Sequence, residues 1–290
     1  MAKGRELKGR IKSTENTRKI TRTMEMVATS KMKRALDRVV ASRPYAMALN
    51  DVISSLYSAE LAESFPLLRQ PIRGQHAARA AVLLLTSNRG LAGGFNANLI
   101  KEARHLITRL EGEGTAVELH VVGRKGIGYF RYVGRAMVTQ RTDISDRPTA
   151  ADASSLVDGL MAGFVSGALD AVYVVQARFQ TALSSPPAAV CVLPVAQPAK
   201  GSAPKDFLLF PSAAAILAEL LPLYVRNAVY RALVETVAAE QAARRTAMKS
   251  ATDNATDMLN ILRRTYNRAR QASITQEIAE IVGGAAALQG

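Results

Sequence analysis

Residues 223–282 read LYVRNAVYRALVETVAAEQAARRTAMKSATDNATDMLNILRRTYNRARQASITQEIAEIV, without a glycine or a proline. The chain as a whole holds 19 Gly and 11 Pro in 290 residues, so about six breakers would be expected in such a stretch. The pattern predicts a single helix that starts near Ser212, a capping residue behind Pro211, kinks at Pro222 and runs to about Val282. At about 1.5 Å per residue the unbroken part alone spans roughly 90 Å, against about 30 Å for a small domain.

The other end of the chain has the same character. Residues 10–73 contain no Gly, and their only prolines are Pro44, Pro66 and Pro71. A second long helix is expected there, bent at Pro44 and frayed before Pro66. Helices of this length need a partner along their length. Ala247, Ala251, Ala255, Met258, Leu262, Ala269 and Ala272 offer one apolar stripe. Ile20, Met24, Val27, Met32, Ala35, Val39, Leu49, Ile53 and Leu56 offer another. The heptad is imperfect and rich in small residues, which argues for close approach rather than a leucine zipper. Residues 1–65 and 207–290 are therefore read as the arms of an antiparallel coiled coil. Two separate helices packed on a globular body are the alternative.

Residues 75–200 read as an α/β domain with a parallel sheet. Expected strands are 80–86, 117–122, 136–140, 171–177 and 188–193, with helices at 96–110 and 150–165. Continuous apolar strands alternating with helices imply a parallel sheet covered on both faces. Six prolines between 186 and 211 mark the exit from this domain.

Composition limits the chemistry. Hydrophobic residues make up 48% and aromatics 5%, with no Trp, so the cores are aliphatic. Lys and Arg number 38 against 24 acidic residues, a net charge of +14. Residues 1–43 carry 13 basic and 4 acidic side chains, which points to an anionic partner or a solvated helix face. The single Cys191 excludes a disulfide framework and a thiolate metal site, and is expected as an inert core thiol. The three His are scattered, and no metal or cofactor is expected. No run is long and apolar enough to span a membrane. The start MAKGRELKGRIKS lacks an apolar signal core, which predicts a soluble chain in a reducing compartment.

Two glycine-rich stretches follow strands. Gly90, Gly93 and Gly94 lack the spacing of a dinucleotide loop, and no Gly-Lys-Ser/Thr follows. Gly123, Gly126 and Gly128 have that spacing reversed. Both are read as tight turns. Glu277 and Glu280 share a helix face but read as a solvated or partner-facing edge. No catalytic constellation is evident.

Several stretches resemble the gamma subunit of the rotary, F-type ATP synthase. They are Asn16–Ala28, Ser30–Arg34, Arg43–Tyr45, Ala247–Asn254 and Tyr266–Gln271, with Ile274-Thr-x-Glu277-x-x-Glu280-x-x-x-Gly284-Ala285 and the Arg89–Asn96 turn. The resemblance implies an antiparallel coiled coil with a Rossmann-like α/β domain at its foot, forming a shaft inside a hexamer of three alpha and three beta subunits, one gamma copy per hexamer. It implies that the shaft is turned by a membrane c-ring, touches an epsilon subunit, and couples proton transport to ATP synthesis without catalytic residues of its own. It implies that Lys31, Lys33, Arg34 and Arg38 meet an acidic lever loop of the beta subunits, with Met24 close to it. Arg270, Gln271, Thr275 and Glu277 would contact beta further up, and the last residues, to about Leu288, would sit in an apolar sleeve. Phe207, Leu209 and Phe210 would contact the membrane ring. The implied location is peripheral, on the cytoplasmic face of a bacterial inner membrane.

The chain departs from its relatives in three places. Asn88 and Ala92 stand where many bacterial relatives carry Asp and Cys. Phe207–Pro211 replaces a more polar stretch, and the regulatory Cys pair of plastid members is absent. Two other readings are a nucleic-acid protein with residues 1–43 as a basic arm, and a nucleotide-dependent α/β enzyme. The first lacks stacking aromatics in that arm, and neither accounts for two paired helices of this length. No nucleic-acid partner is expected.

Overall fold

A computed structural model of the chain describes residues 2–56, 64–69, 79–181, 184–196, 210 and 212–289. The elements are α1 (Ala2–Leu56), a 3-10 turn (Pro66–Leu68), β1 (Arg79–Leu85), α2 (Phe95–Gly112), β2 (Ala116–Val122), α3 (Arg124–Val133), β3 (Thr139–Arg141), α4 (Ala150–Val165), β4 (Ala171–Ala177), β5 (Pro187–Leu193) and α5 (Ala213–Gln289). Two compact units result, Met1–Ala28 with Arg244–Gly290, and Thr29–Ala243.

The terminal helices are 55 and 77 residues long. Both continue through a proline, Pro44 in α1 and Pro222 in α5. Each proline deprives the carbonyl four residues back of its donor. Those carbonyls belong to Val40 and Ala218, both exposed, so water can replace the lost bond. α5 also passes Gly283 and Gly284 and ends at Gln289 rather than near Val282.

Every buried position of α1 falls on one repeat of three- and four-residue steps. Thr21, Ala28, Met32, Ala35, Val39, Ala46, Leu49, Ile53 and Leu56 are buried, and half-buried Leu7, Ile11, Thr14, Arg18, Glu25 and Ser42 complete the series. This is a strict 3.5-residue period, the geometry of a left-handed supercoil. Its chemistry is irregular, not its spacing. The expected stripe followed apolarity through Ile20 and Val27, which are 60% and 49% exposed. The packed face runs one residue later, through Thr21, Glu25 and Ala28.

In the unit formed by residues 1–28 and 244–290 the helices run antiparallel. Thr252 donates its hydroxyl to Thr21 Oγ1 at 2.8 Å, and Arg263 pairs with Glu15. Met248, Ala255 and Leu259 supply the buried apolar positions of α5 here, while Met258 stays 56% exposed.

The unit Thr29–Ala243 contains a five-stranded sheet in the order β3-β2-β1-β4-β5. β1 pairs in parallel with β2 and β4, and β2 with β3. The sheet is thus parallel as expected except at one edge, where β5 runs antiparallel to β4. β4 and β5 form a hairpin, closed by Arg178 N–H donating to Pro186 O at 2.9 Å, and a hairpin needs no crossover helix. α2 covers one face, packing Phe95, Leu99, Ala103 and Leu106 on Ala80, Val82 and Leu84 of β1. α4 covers the other with Leu156, Leu160 and Phe164 over Leu83 and Leu85, joined by Leu49, Ile53 and Leu56 of α1 and Leu217, Leu221 and Val225 of α5. A Thr149–Asp152 capping box starts α4.

The stretch Gly123–Gly128, expected as a tight turn, instead opens the helix α3. Its glycines are demanded by close approach rather than by chain reversal. A Cβ on Gly126 would lie 2.8 Å from Thr86 Oγ1, and one on Gly123 (φ +99°) 2.1 Å from Thr86 O. Cys191 differs from its expected core setting: it stands exposed on the edge strand β5. Its Sγ still lies 3.1 Å from Leu193 O, and desolvation pushes the thiol pKa up to about 11, so the thiolate is disfavoured.

Candidate functional site

Two surfaces carry the residues singled out from the sequence, one in each unit. In the unit Thr29–Ala243, Lys31, Arg34 and Arg38 project from α1 into a cleft of about 580 Å³. Its other walls are the loops after β1 and β3 and the start of α3, which bring Arg89, Arg147 and Arg124 to the same cleft. Asn88 holds these segments together. Its Nδ2 donates to Thr142 O and Ile144 O, each at 3.0 Å, and its Oδ1 accepts from Arg124 N–H at 3.1 Å.

The four basic residues expected to act together are not equivalent. Lys31 Nζ is 2.6 Å from Asp146 Oδ2, with both side chains about one-third exposed. Among the described residues Arg34 donates to Ser30 Oγ, at 2.9 Å, and pairs with no carboxylate. Lys33 is exposed and lies outside the cleft lining, whereas Arg38 is half-buried. Asp143, also in the cleft wall, is gripped by both arms of Arg141 at 2.7 and 2.6 Å. That hydrogen bonding lowers the Asp143 pKa and raises the Arg141 pKa.

In the unit of residues 1–28 and 244–290, Met24 is half-buried beside the helix seam. Arg270, Gln271, Thr275 and Glu277 are all exposed on α5. Thr275 Oγ1 donates to Gln271 O at 3.0 Å, and Glu277 Oε1 accepts from Ser273 Oγ at 3.3 Å, so their polar groups engage only neighbouring turns. From Arg270 to Ala285 every side chain except that of Ser273 is exposed. Apolar side chains stand exposed among the charged ones of this surface. Ile20, Met26 and Val27 of α1 and Met258, Ile261, Ile274, Ile278, Ile281 and Val282 of α5 are each 46% to 72% exposed. Phe210 is 90% exposed, whereas Phe207 and Leu209 lie outside the described residues.

Sequence reasoning missed Arg89, Arg124 and Arg147. They are widely spaced in the chain and meet only because three parallel strands end on one edge of the sheet. It also missed the exposed face through Ile20 and Val27, because apolarity alone assigned those residues to the seam. Among the described residues no group of three His, Cys, Asp or Glu could hold a metal ion, and no helix is long and apolar enough to cross a membrane.

A family model described as ATP synthase matches residues 3–288. The chain is 68% identical to the ATP synthase gamma chain of Gemmatimonas aurantiaca, with all of both chains covered. It is 45% identical to that of Frankia casuarinae, over 98% of this chain and 97% of the relative. Among solved structures, the central stalk/c-ring of Tetrahymena thermophila mitochondrial ATP synthase contains a chain 26% identical, with a TM-score of 0.59 over 80% of this chain and 99% of that one. A chain of the OSCP/F1/c-ring of Euglena gracilis mitochondrial ATP synthase shares the fold at 19% identity, with a TM-score of 0.70 over 99% of this chain and 95% of that one. The long terminal helices, the α/β unit and the full-length match to gamma chains agree: the chain belongs to the gamma-chain family of the ATP synthase.

Proposed function

We propose that the chain is the central rotor shaft of an F-type proton-translocating ATP synthase. It turns with the membrane c-ring and drives the beta subunits in turn through their conformations, and catalysis belongs to those beta subunits. The observation that carries this reading is the set of exposed apolar side chains on the outer face of residues 1–28 and 244–285. A solvated two-helix coil keeps its outer positions polar, whereas this one exposes Ile20, Val27, Ile274, Ile278 and Ile281. Such a surface suits a long, weakly directional contact inside a sleeve. Directional bonds would hold a shaft at one angle, and apolar contact does not.

Coupling requires that the shaft bind different conformational states of its neighbours unequally. Lys33, Arg34 and Arg38 are the cations best placed to read an acidic lever on beta, with Lys31 already engaged by Asp146. Met24 contributes from the unit of residues 1–28 and 244–290, where Arg270, Gln271, Thr275 and Glu277 offer polar contacts to beta along α5. Residues 1–65 and 207–290 form the shaft and 75–200 its foot, where Phe207, Leu209 and Phe210 meet the c-ring and the epsilon subunit docks. The assembly sits peripherally on the cytoplasmic face of a bacterial inner membrane.

Mixing the full chain with alpha and beta subunits of the Gemmatimonas aurantiaca synthase tests this. One copy per hexamer, with ATP hydrolysis faster than for alpha and beta alone, is expected. No complex from a correctly folded chain would overturn the reading.

A further inference from the structure

The cleft beside Asn88 holds more positive charge than the protein itself uses. Its lining includes six cations, Lys31, Arg34, Arg38, Arg89, Arg124 and Arg147, against two carboxylates, Asp143 and Asp146. Both carboxylates are already neutralised, Asp146 by Lys31 at 2.6 Å and Asp143 by Arg141 at 2.6 Å. The other five cations, all guanidinium groups, form no ion pair with a carboxylate among the described residues. Five like charges around one cavity repel one another, and a multiply charged anion relieves that repulsion.

We propose that this cleft binds the phosphate chain of a polyphosphate, either free or as the tail of a nucleotide. Four separate segments supply the guanidinium groups: α1 gives Arg34 and Arg38, and the loop after β1 gives Arg89. The start of α3 gives Arg124 and the loop after β3 gives Arg147. They reach the cleft from four different segments rather than from one. A compact ligand with oxygens on all sides suits such a lining, whereas the carboxylates of an extended acidic segment follow one direction. Guanidinium forks match phosphate oxygens two at a time. The volume, about 580 Å³, falls within the roughly 300–1,000 Å³ of small-molecule sites. The position, at the carboxyl ends of parallel strands, is where open α/β sheets take ligands.

The same geometry accounts for the missing glycine phosphate motif. The first amides of α3 are all spent inside the protein: Arg124 N–H on Asn88 Oδ1, Lys125 N–H on Ser87 O and Gly126 N–H on Thr86 Oγ1. Side-chain charge therefore reads the phosphates, not backbone. No aromatic ring lines the cleft, so nothing there stacks on a base, and the phosphate chain alone sets affinity. Arg34 and Arg38 are shared with the surface assigned to the beta lever, so occupancy would compete with that contact. The site itself stands on the isolated chain.

Isothermal titration of the full chain with inorganic tripolyphosphate, and separately with ATP, tests the assignment. One saturable site is expected, weakened as salt rises, with the two ligands binding within about threefold of each other because the base adds nothing. Arg89→Ala with Arg124→Ala should weaken binding roughly tenfold or more. Lys8→Ala with Lys12→Ala removes the same charge elsewhere on α1 and should change it less than about twofold. Melting temperatures of both double variants confirm folding, and Arg89→Lys with Arg124→Lys should recover part of the affinity. Non-saturable binding, equal weakening in the two double variants, or a strong preference for ATP over tripolyphosphate would overturn the proposal. Assembly of Arg89→Ala/Arg124→Ala with alpha and beta, expected at the parent's yield, distinguishes failure of this site from failure of the shaft.

Discussion

Lys31 Nζ lies 2.6 Å from Asp146 Oδ2, an ion pair that joins α1 to the loop after β3 within one unit. It removes one cation from the set that faces outward. Charge reversal at Lys33 and Arg34 should therefore uncouple ATP turnover from proton pumping more than reversal at Lys31. Lys31→Ala should lower stability by less than about 1 kcal/mol, because both partners are one-third exposed. Proton pumping per ATP hydrolysed, measured in vesicles holding the assembled enzyme, distinguishes the positions. Full coupling in Lys33→Glu/Arg34→Glu would contradict the lever contact.

Asn88→Asp is expected to be costly although it changes one atom. The Asn88 amide donates to two carbonyls, and a carboxylate would turn both contacts into repulsion between acceptors. A loss of about 1–3 kcal/mol is expected from urea unfolding at neutral pH. An unchanged midpoint would mean that Asn88 does not tie these segments together.

Gly123 and Gly128 make a paired test of α3. Gly123→Ala places a Cβ 2.1 Å from Thr86 O at a φ of +99°, so a clear loss of melting temperature is expected. At Gly128, inside α3, a Cβ meets nothing within 4 Å. Gly128→Ala should stabilise by about 0.4–1 kcal/mol. Equal effects at the two positions would contradict the helix and its contact with Thr86.

His120 predicts a pH effect. The residue is 8% exposed, its Nδ1 lies 3.0 Å from Thr139 Oγ1, and Glu118 Oε2 stands 3.9 Å from its Nε2. Desolvation lowers the imidazole pKa below 6.5, and Glu118 opposes only part of that. The unfolded chain thus takes up this proton first as pH falls, so stability drops below about pH 6.5 and continues to drop until the folded pKa is reached. Melting temperatures at about pH 7.5 and pH 5.5 should diverge more in the parent than in His120→Gln. Equal divergence would assign the acid loss to other groups.

Ala255→Pro tests the long helix. Ala255 is 8% exposed on α5, and a proline there removes the bond to Ala251 O and crowds that carbonyl, costing about 3 kcal/mol or more. Pro44 and Pro222 escape much of this cost because the carbonyls they leave unbonded sit on exposed residues. An unchanged melting temperature would contradict a continuous α5.

The two terminal helices were legible because the absence of breakers is a strong signal over 60 residues. The strands were legible because their apolar runs are continuous. The seam was only half legible. Beyond Ala28 apolar chemistry and the 3.5-residue period coincide, through Met32, Val39, Leu49 and Ile53. Before it they separate, since Thr14, Arg18, Thr21 and Glu25 occupy the packed positions. α3 was hidden because Gly126 and Gly128 look like turn residues, and only its packing on Thr86 shows why Gly126 is required. The basic cleft was invisible in the sequence. Its residues lie on four segments, and strand order, not spacing, brings them together.

Rotation is the central claim, and it can be watched directly. A hexamer of alpha and beta subunits fixed to a surface would hold one gamma chain labelled with a bead through Phe210→Cys in a Cys191→Ser background. Phe210 is 90% exposed, so the label should not disturb packing. With ATP supplied, the bead is predicted to turn in one direction, in three equal steps per revolution. A bead that stays fixed, or turns equally in both directions, while the complex hydrolyses ATP would contradict the shaft.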